Sequence, residues 1–163
     1  MALEPLLDLM AQRLALMPDV ARHKWNTATA IEDLPREQQI IDGLKQQAEA
    51  LGVPAAWAER FFRAQIEAAK VIQREQFARW QAAGQGRWAD APDLATVIRP
   101  RLDALTPRLL RELALTWPAL SDPAQHARLT AATTRLESGT TSAAAARAAA
   151  EPLTGGSSST QGR

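Results

Sequence analysis

From Pro54 to Gln81 the chain reads P-A-A-W-A-E-R-F-F-R-A-Q-I-E-A-A-K-V-I-Q-R-E-Q-F-A-R-W-Q, and its apolar residues recur with the period of an α-helix. Trp57, Phe61, Phe62, Ile66, Ala68, Ile72, Phe77 and Trp80 share one broad arc, while Arg60, Arg63, Glu67, Lys70 and Arg74 gather opposite it. A helix of this length with one apolar face has to bury that face against other elements. Inside the arc also fall Gln65, Gln73 and Gln76, with the small Ala69. One buried glutamine is ordinarily satisfied by a neighbouring helix, whereas three on one arc invite a polar pocket. Ala69 and Gln73 stand one turn apart and face the same space.

Toward the N-terminus, Gly52 offers a left-handed helix end and Pro54 a fresh start. The preceding helix opens at Pro35, whose fixed φ suits a first turn, and this places Arg36 and Glu37 in that turn. Ile40, Ile41, Leu44 and Leu51 define its apolar arc; at about 100° per residue Glu37 falls within the arc and Arg36 at its edge. An inward-facing carboxylate is costly unless it is paired or meets a ligand. Further upstream, Leu6, Leu7, Leu9, Met10, Leu14, Leu16 and Met17 form another arc with Arg13 near its middle. Arg13 can either snorkel to water along its stem or serve a ligand. Pro18 stops or kinks that helix, and the form of residues 20–31 stays open because T-A-T-A favours helix only weakly. Lys24 beside Trp25 reads on its own as a surface lysine next to a half-buried tryptophan.

Toward the C-terminus, residues 82–92 are turn-rich and read as a loop. Leu102, Leu105, Leu109, Leu113 and Trp117 then form a stripe, interrupted at Pro107, where a kink or a new helix capped by Thr106 is expected. Arg101, Arg108 and Arg111 lie off this stripe. A further helix starts near Ser121-Asp122-Pro123 and ends near Gly139, and an alanine-rich helix follows from Ser142. Residues 154–163, rich in Gly and Ser, read as a disordered tail. No strand alternation, repeat or glycine-rich phosphate loop occurs, so the expectation is a single all-α domain of about six helices over residues 1–153.

The bulk numbers exclude several classes of function. A net charge of +1 creates no global field for nucleic acid or an anionic membrane, so an anion has to be caught locally. The absence of cysteine removes thiol chemistry and cysteine-based metal sites, and two distant histidines make a metal centre or a triad improbable. No run approaches the roughly 20 apolar residues of a membrane span. The first residues lack a basic stretch followed by an apolar core, so as written they carry no secretory signal.

Read together, residues 6–80 resemble the all-helical chorismate mutases, in particular their exported subclass. The resemblance rests on R-L at Arg13, V-A-x-x-K-W at Val20 to Trp25, I-E-D-x-x-R-E at Ile31 to Glu37, and F-F-x-x-Q-I-x-A-x-x-x-I-Q ending at Gln73, closed by Trp80. The extra helical half after Trp80 is what points to the exported subclass. The resemblance implies conversion of chorismate to prephenate by an intramolecular rearrangement without cofactor or metal. It implies that Arg13 clamps a substrate carboxylate and that Lys24 contacts the ether oxygen and a carboxylate. By the same resemblance, Asp33 and Glu37 are expected near the substrate hydroxyl, Arg36 is expected to order the site, and Gln73 to give a second donor to the ether oxygen. Ala69 departs from the Ser or Thr usual in the family. The resemblance further implies that an arginine of the later half completes the clamp, with Arg108 as the position that looks like it and Arg111 as the fallback. The same resemblance implies a homodimer in the periplasm or outside the cell.

Composition and periodicity alone also suit a non-catalytic all-α module that binds a helix or a small anion. A lyase releasing pyruvate from a related dicarboxylate is a third possibility, because fold kinship does not fix chemistry.

Overall fold

The computed structural model describes residues 3–139 and 142–154, which form seven α-helices and no strand: α1 (Glu4–Ala15), α2 (Met17–Thr27), α3 (Leu34–Ala50), α4 (Ala55–Ala83), α5 (Arg99–Leu120), α6 (His126–Gly139) and α7 (Ala143–Thr154). Only Leu16 separates α1 from α2, and it keeps a right-handed helical conformation. The two therefore act as one kinked rod, which accounts for the expected count of about six. Pro18 at the start of α2 supplies the kink, since it has no N–H to offer Leu14. Residues 20–31, left open by the sequence, are helical as far as Thr27; Ala28 then closes α2 with φ 53°, an unusual conformation for a residue with a Cβ.

The 29-residue α4 is the axis of the fold. It packs against α1 and α2, α3 and α7, while α5 lies on α1 and α6 joins α1 to α7. Phe61, Leu6, Met10, Leu14, Ile41, Ile72 and Leu113 are fully buried between these helices, each worth about 1.5–3 kcal/mol by removal from water. Against α4, helix α7 presents Ala145, Ala146, Ala149 and Ala150, all buried. Side chains this small let the two helix backbones approach closely. Ser142 caps α7 by accepting from Ala145 N at 3.1 Å, and its hydroxyl donates to Glu75 on α4 at 3.0 Å.

Several expectations are corrected. Helix α5 runs through Pro107 without a new start, and Thr106 is no cap: its hydroxyl donates to the Leu102 carbonyl at 3.1 Å. Burial of Leu105, Leu109, Leu110 and Leu113 holds the inner face of α5 together across the missing bond. Ile40 and Leu51 are 42% and 50% exposed, so the buried stripe of α3 consists of Ile41, Leu44 and Ala48. Thr154 ends α7 rather than opening a tail; the remainder of the expected tail lies outside the described residues. No helix is long and apolar enough to cross a membrane among the described residues.

Candidate active site

Helices α1 and α2 run alongside α4 in the same direction, in a register set by three contacts. Arg13 Nη1 donates to the Gln65 carbonyl at 3.1 Å, Gln73 Nε2 lies 3.8 Å from Met17 Sδ, and Trp25 packs edge-on against Phe77 and Trp80 at 5.3 and 5.6 Å. Arg13, Met17 and Lys24 follow one side of the kinked rod. Ala69 and Gln73, one turn apart, follow the facing stripe of α4, to which Gln65 contributes its backbone carbonyl while its side chain donates to the Ala149 carbonyl of α7 at 2.9 Å.

The third side is the first turn of α3. Asp33 caps it, its carboxylate accepting from Arg36 N at 3.2 Å. That turn directs Glu37 inward, with its side chain 13% exposed and one oxygen 2.6 Å from Lys70 Nζ. The other oxygen, Oε2, is buried with no hydrogen-bond partner. Arg36 and Asp33 are exposed at the rim.

Lys70 is the residue that sequence reasoning misplaced. Assigned to the solvent face of α4, it is 3% exposed and meets Glu37 at 2.6 Å, Glu32 at 2.9 Å and Glu67 at 3.1 Å. Burial alone would lower its pKa; hydrogen bonds with Glu37, Glu32 and Glu67 overcome that and hold the ammonium above the ordinary lysine value. The available sequence signal was its position at the edge of the apolar arc, three residues after Glu67.

Two other cations in the seam lack such compensation. Arg13 has no carboxylate partner among the described residues, and burial pushes its pKa down to about 10. Lys24 is half-buried and donates to the Ile31 carbonyl at 2.7 Å. Burial lowers its pKa and outweighs the pull of Glu37 and Asp33 in the other direction, with Lys70 and Arg36 adding to the lowering. Lys24 lines an open cleft of about 430 Å³ with Trp25, Ala28, Thr29, Ala30 and Phe77. Gln73 is buried; one N–H is held by the Ala69 carbonyl at 3.3 Å and the other meets only the Met17 thioether, a weak acceptor that a ligand oxygen can replace. Ala69, buried on the turn before, adds no polar group.

The loop after α4 fixes the Lys24 end of α2. Asn26 exchanges two hydrogen bonds with the Trp88 backbone at 2.7 and 2.8 Å, Trp25 Nε1 donates to Gly86 O at 3.1 Å, and Leu94 N donates to His23 Nδ1 at 3.2 Å. The histidine of the region is thereby engaged in holding the loop. No three His, Asp or Glu side chains are grouped to hold a metal ion among the described residues.

The arrangement can hold an anion between fixed cations and present a charged and a neutral donor to a developing negative charge, with one free carboxylate oxygen to accept a hydroxyl. Arg108 takes no part in the contacts described above. It is exposed and lines a cleft of about 250 Å³ on the α1–α5 side with Arg111, Asp8, Gln12 and Glu112. From α1 the cleft is also lined by Pro5 and by Leu9, one turn before Arg13. Arg99, not singled out from the sequence, is half-buried at the start of α5. It directly follows a π-helical turn, Leu94–Ile98, which packs on α2 and is fastened to His23, next to Lys24.

Residues 4–74 match the family described as chorismate mutase type II. A secreted chorismate mutase of Mycolicibacterium smegmatis is 34% identical over 121 residues, covering 74% of this chain and 66% of that protein. The chain thus spans about two thirds of the length of that relative. The crystal structure of a chorismate mutase from Burkholderia phymatum superposes with a TM-score of 0.83 at 30% identity, covering 93% of this chain and 94% of the other. That of a chorismate mutase from Burkholderia thailandensis gives 0.80 at 38% identity, covering 93% and 95%.

Proposed function

This chain belongs to the chorismate mutase type II family, and on that premise we propose that it rearranges chorismate to prephenate. The observation that carries the reading is a contrast among the inward cations of one seam: Lys70 is surrounded by carboxylates, whereas Arg13 and Lys24 have no ion pair among the described residues. Half-buried cations that lack a direct ion pair are expensive to keep, and a dicarboxylate substrate supplies the missing partner.

In the rearrangement the ether C–O bond breaks while a C–C bond forms within the same molecule, so no proton has to be moved and no cofactor is needed. Arg13 holds one substrate carboxylate in a bidentate, oriented pair. Holding the dianion compactly brings the reacting carbons together and removes most of the orientational entropy of the step. As the bond breaks, negative charge grows on the ether oxygen. Lys24 and the Gln73 N–H that faces Met17 then bind the transition state more tightly than the ground state. Glu37 Oε2 and Asp33 receive the substrate hydroxyl, Arg36 orders the rim, and Ala69 leaves room without adding a contact.

The decisive experiment is incubation of the purified protein with chorismate, with product identification. Prephenate supports the reading, released pyruvate makes the protein a lyase, and no turnover by folded protein makes it a binding module.

The second carboxylate contact is assigned by a paired test. Arg108 is the family-based candidate, while the fastening of the turn before Arg99 to α2 favours Arg99 as the alternative. The clamp residue, replaced by alanine, is expected to raise KM and lower kcat/KM by at least about tenfold, since a charge-assisted hydrogen bond contributes about 1.5–3 kcal/mol. The other variant stays within about twofold of wild type.

We further propose export from the cytoplasm, supported by the relative named as secreted and tested by cell fractionation. A homodimer with each site built within one chain is tested by light scattering.

A further inference from the structure

Glu37 stands beside a site proposed to receive a dianion, which makes a further negative charge there unfavourable unless something offsets it. Lys70 offsets it. Lys70 is 3% exposed, sits on the turn of α4 that carries Ala69 and Gln73, and engages one Glu37 oxygen through its ammonium at 2.6 Å. The other Glu37 oxygen is left buried and unpartnered, so it is free to accept. Glu32 and Glu67 reach the same ammonium from solvent with side chains 49% and 57% exposed, whereas Glu37 is 13% exposed. A buried carboxylate held at one oxygen by a buried ammonium has its plane and its free lone pairs fixed.

We propose that Lys70 is a positioning residue for the rearrangement: it anchors Glu37 by one oxygen so that the other is aimed at the substrate hydroxyl. Lys70 itself touches no substrate, and its effect passes through Glu37. The inference rests on the mutase reading and adds to it a residue that the family motifs quoted above do not contain.

A double-mutant cycle tests it, using steady-state kinetics with chorismate on Lys70→Met, Glu37→Gln and the combined variant. Lys70→Met is expected to lower kcat/KM by about as much as Glu37→Gln does. In the Glu37→Gln background, Lys70→Met should cost no more than about twofold further. Glu32→Gln and Glu67→Gln, which change exposed carboxylates and leave the Glu37 contact in place, should stay within about twofold of wild type, and they keep the test available if Lys70→Met does not fold. Multiplicative losses in the cycle, accompanied by a matching fall in Tm, would make Lys70 a scaffold residue and overturn the proposal. So would losses in Glu32→Gln or Glu67→Gln as large as that of Glu37→Gln. An inactive wild-type protein would instead refute the mutase reading, so the two failures are distinguishable.

Discussion

Lys24→Ala is expected to lower kcat by at least about 10²–10³-fold while the far-ultraviolet circular dichroism stays that of a helical protein. The magnitude follows from removing a preorganised donor to developing charge, about 2.7–4 kcal/mol. The fold should survive because the neighbouring Trp25, Asn26 and His23, rather than Lys24, tie α2 to the loop after α4. Since Lys24 acts more strongly on the transition state than on the ground state, the loss should appear in kcat more than in KM. Retention of near-wild-type turnover would remove Lys24 from its assigned role.

The same residue sets the pH dependence. Burial lowers the Lys24 pKa below the ordinary lysine value, with Glu37 and Asp33 opposing, and Gln73 needs no protonation to donate. Activity is therefore expected to persist through neutral pH and to fall on the alkaline side before a free lysine would deprotonate. The sign for stability is opposite. A lysine whose folded pKa lies below its unfolded value opposes folding while charged, and that opposition vanishes as pH rises. Loss of rate without loss of helical signal in the alkaline arm is the expected result; a profile confined to acid would contradict it.

Much of this site was legible in the sequence because helical period assigns a direction to each side chain. Arg13 in the middle of an apolar arc, Glu37 on the inner stripe of α3, and Gln73 one turn from Ala69 all follow from about 100° per residue, and the structure places each on the seam. Period says nothing about what covers the edge of an arc. Lys70 lies between the buried stripe of α4 and the solvent face; only the approach of Glu37 in the first turn of α3, and of Glu32 just before that helix, turns that edge into interior. The same limit applies along α3 and at its C-cap, where Ile40 and Leu51 fit the apolar pattern yet stay 42% and 50% exposed. The surroundings of Arg108 were out of reach of the sequence for a different reason. It lies off the leucine stripe of α5, and which side of α1 that surface meets is decided by the crossing of two helices distant in sequence.

Arg13→Ala is expected to lower kcat/KM by about 10²–10³-fold, with KM raised and kcat reduced together, because a carboxylate clamp acts in both ground and transition states. Breaking one partner of a desolvated ion pair typically costs about 3–5 kcal/mol, and entry of water into the vacated space recovers part of it. A second variant, Arg13→Met, separates function from packing. It keeps an unbranched apolar stem and removes the charge together with the hydrogen bond to Gln65 O. Burial pushes the guanidinium pKa down to about 10 from its ordinary 12.5, which means that the charged form is less favourable in the folded chain than in the unfolded one at neutral pH. Without substrate, Arg13→Met should therefore melt at or above the wild-type temperature while being as inactive as Arg13→Ala. Substrate or a dicarboxylate analogue should raise the Tm of wild type by mass action and leave that of the variant unmoved. If Arg13→Met were instead strongly destabilised in the unliganded state, the hydrogen bond to Gln65 O would be its main role and the seam would owe its shape, rather than its affinity, to the arginine.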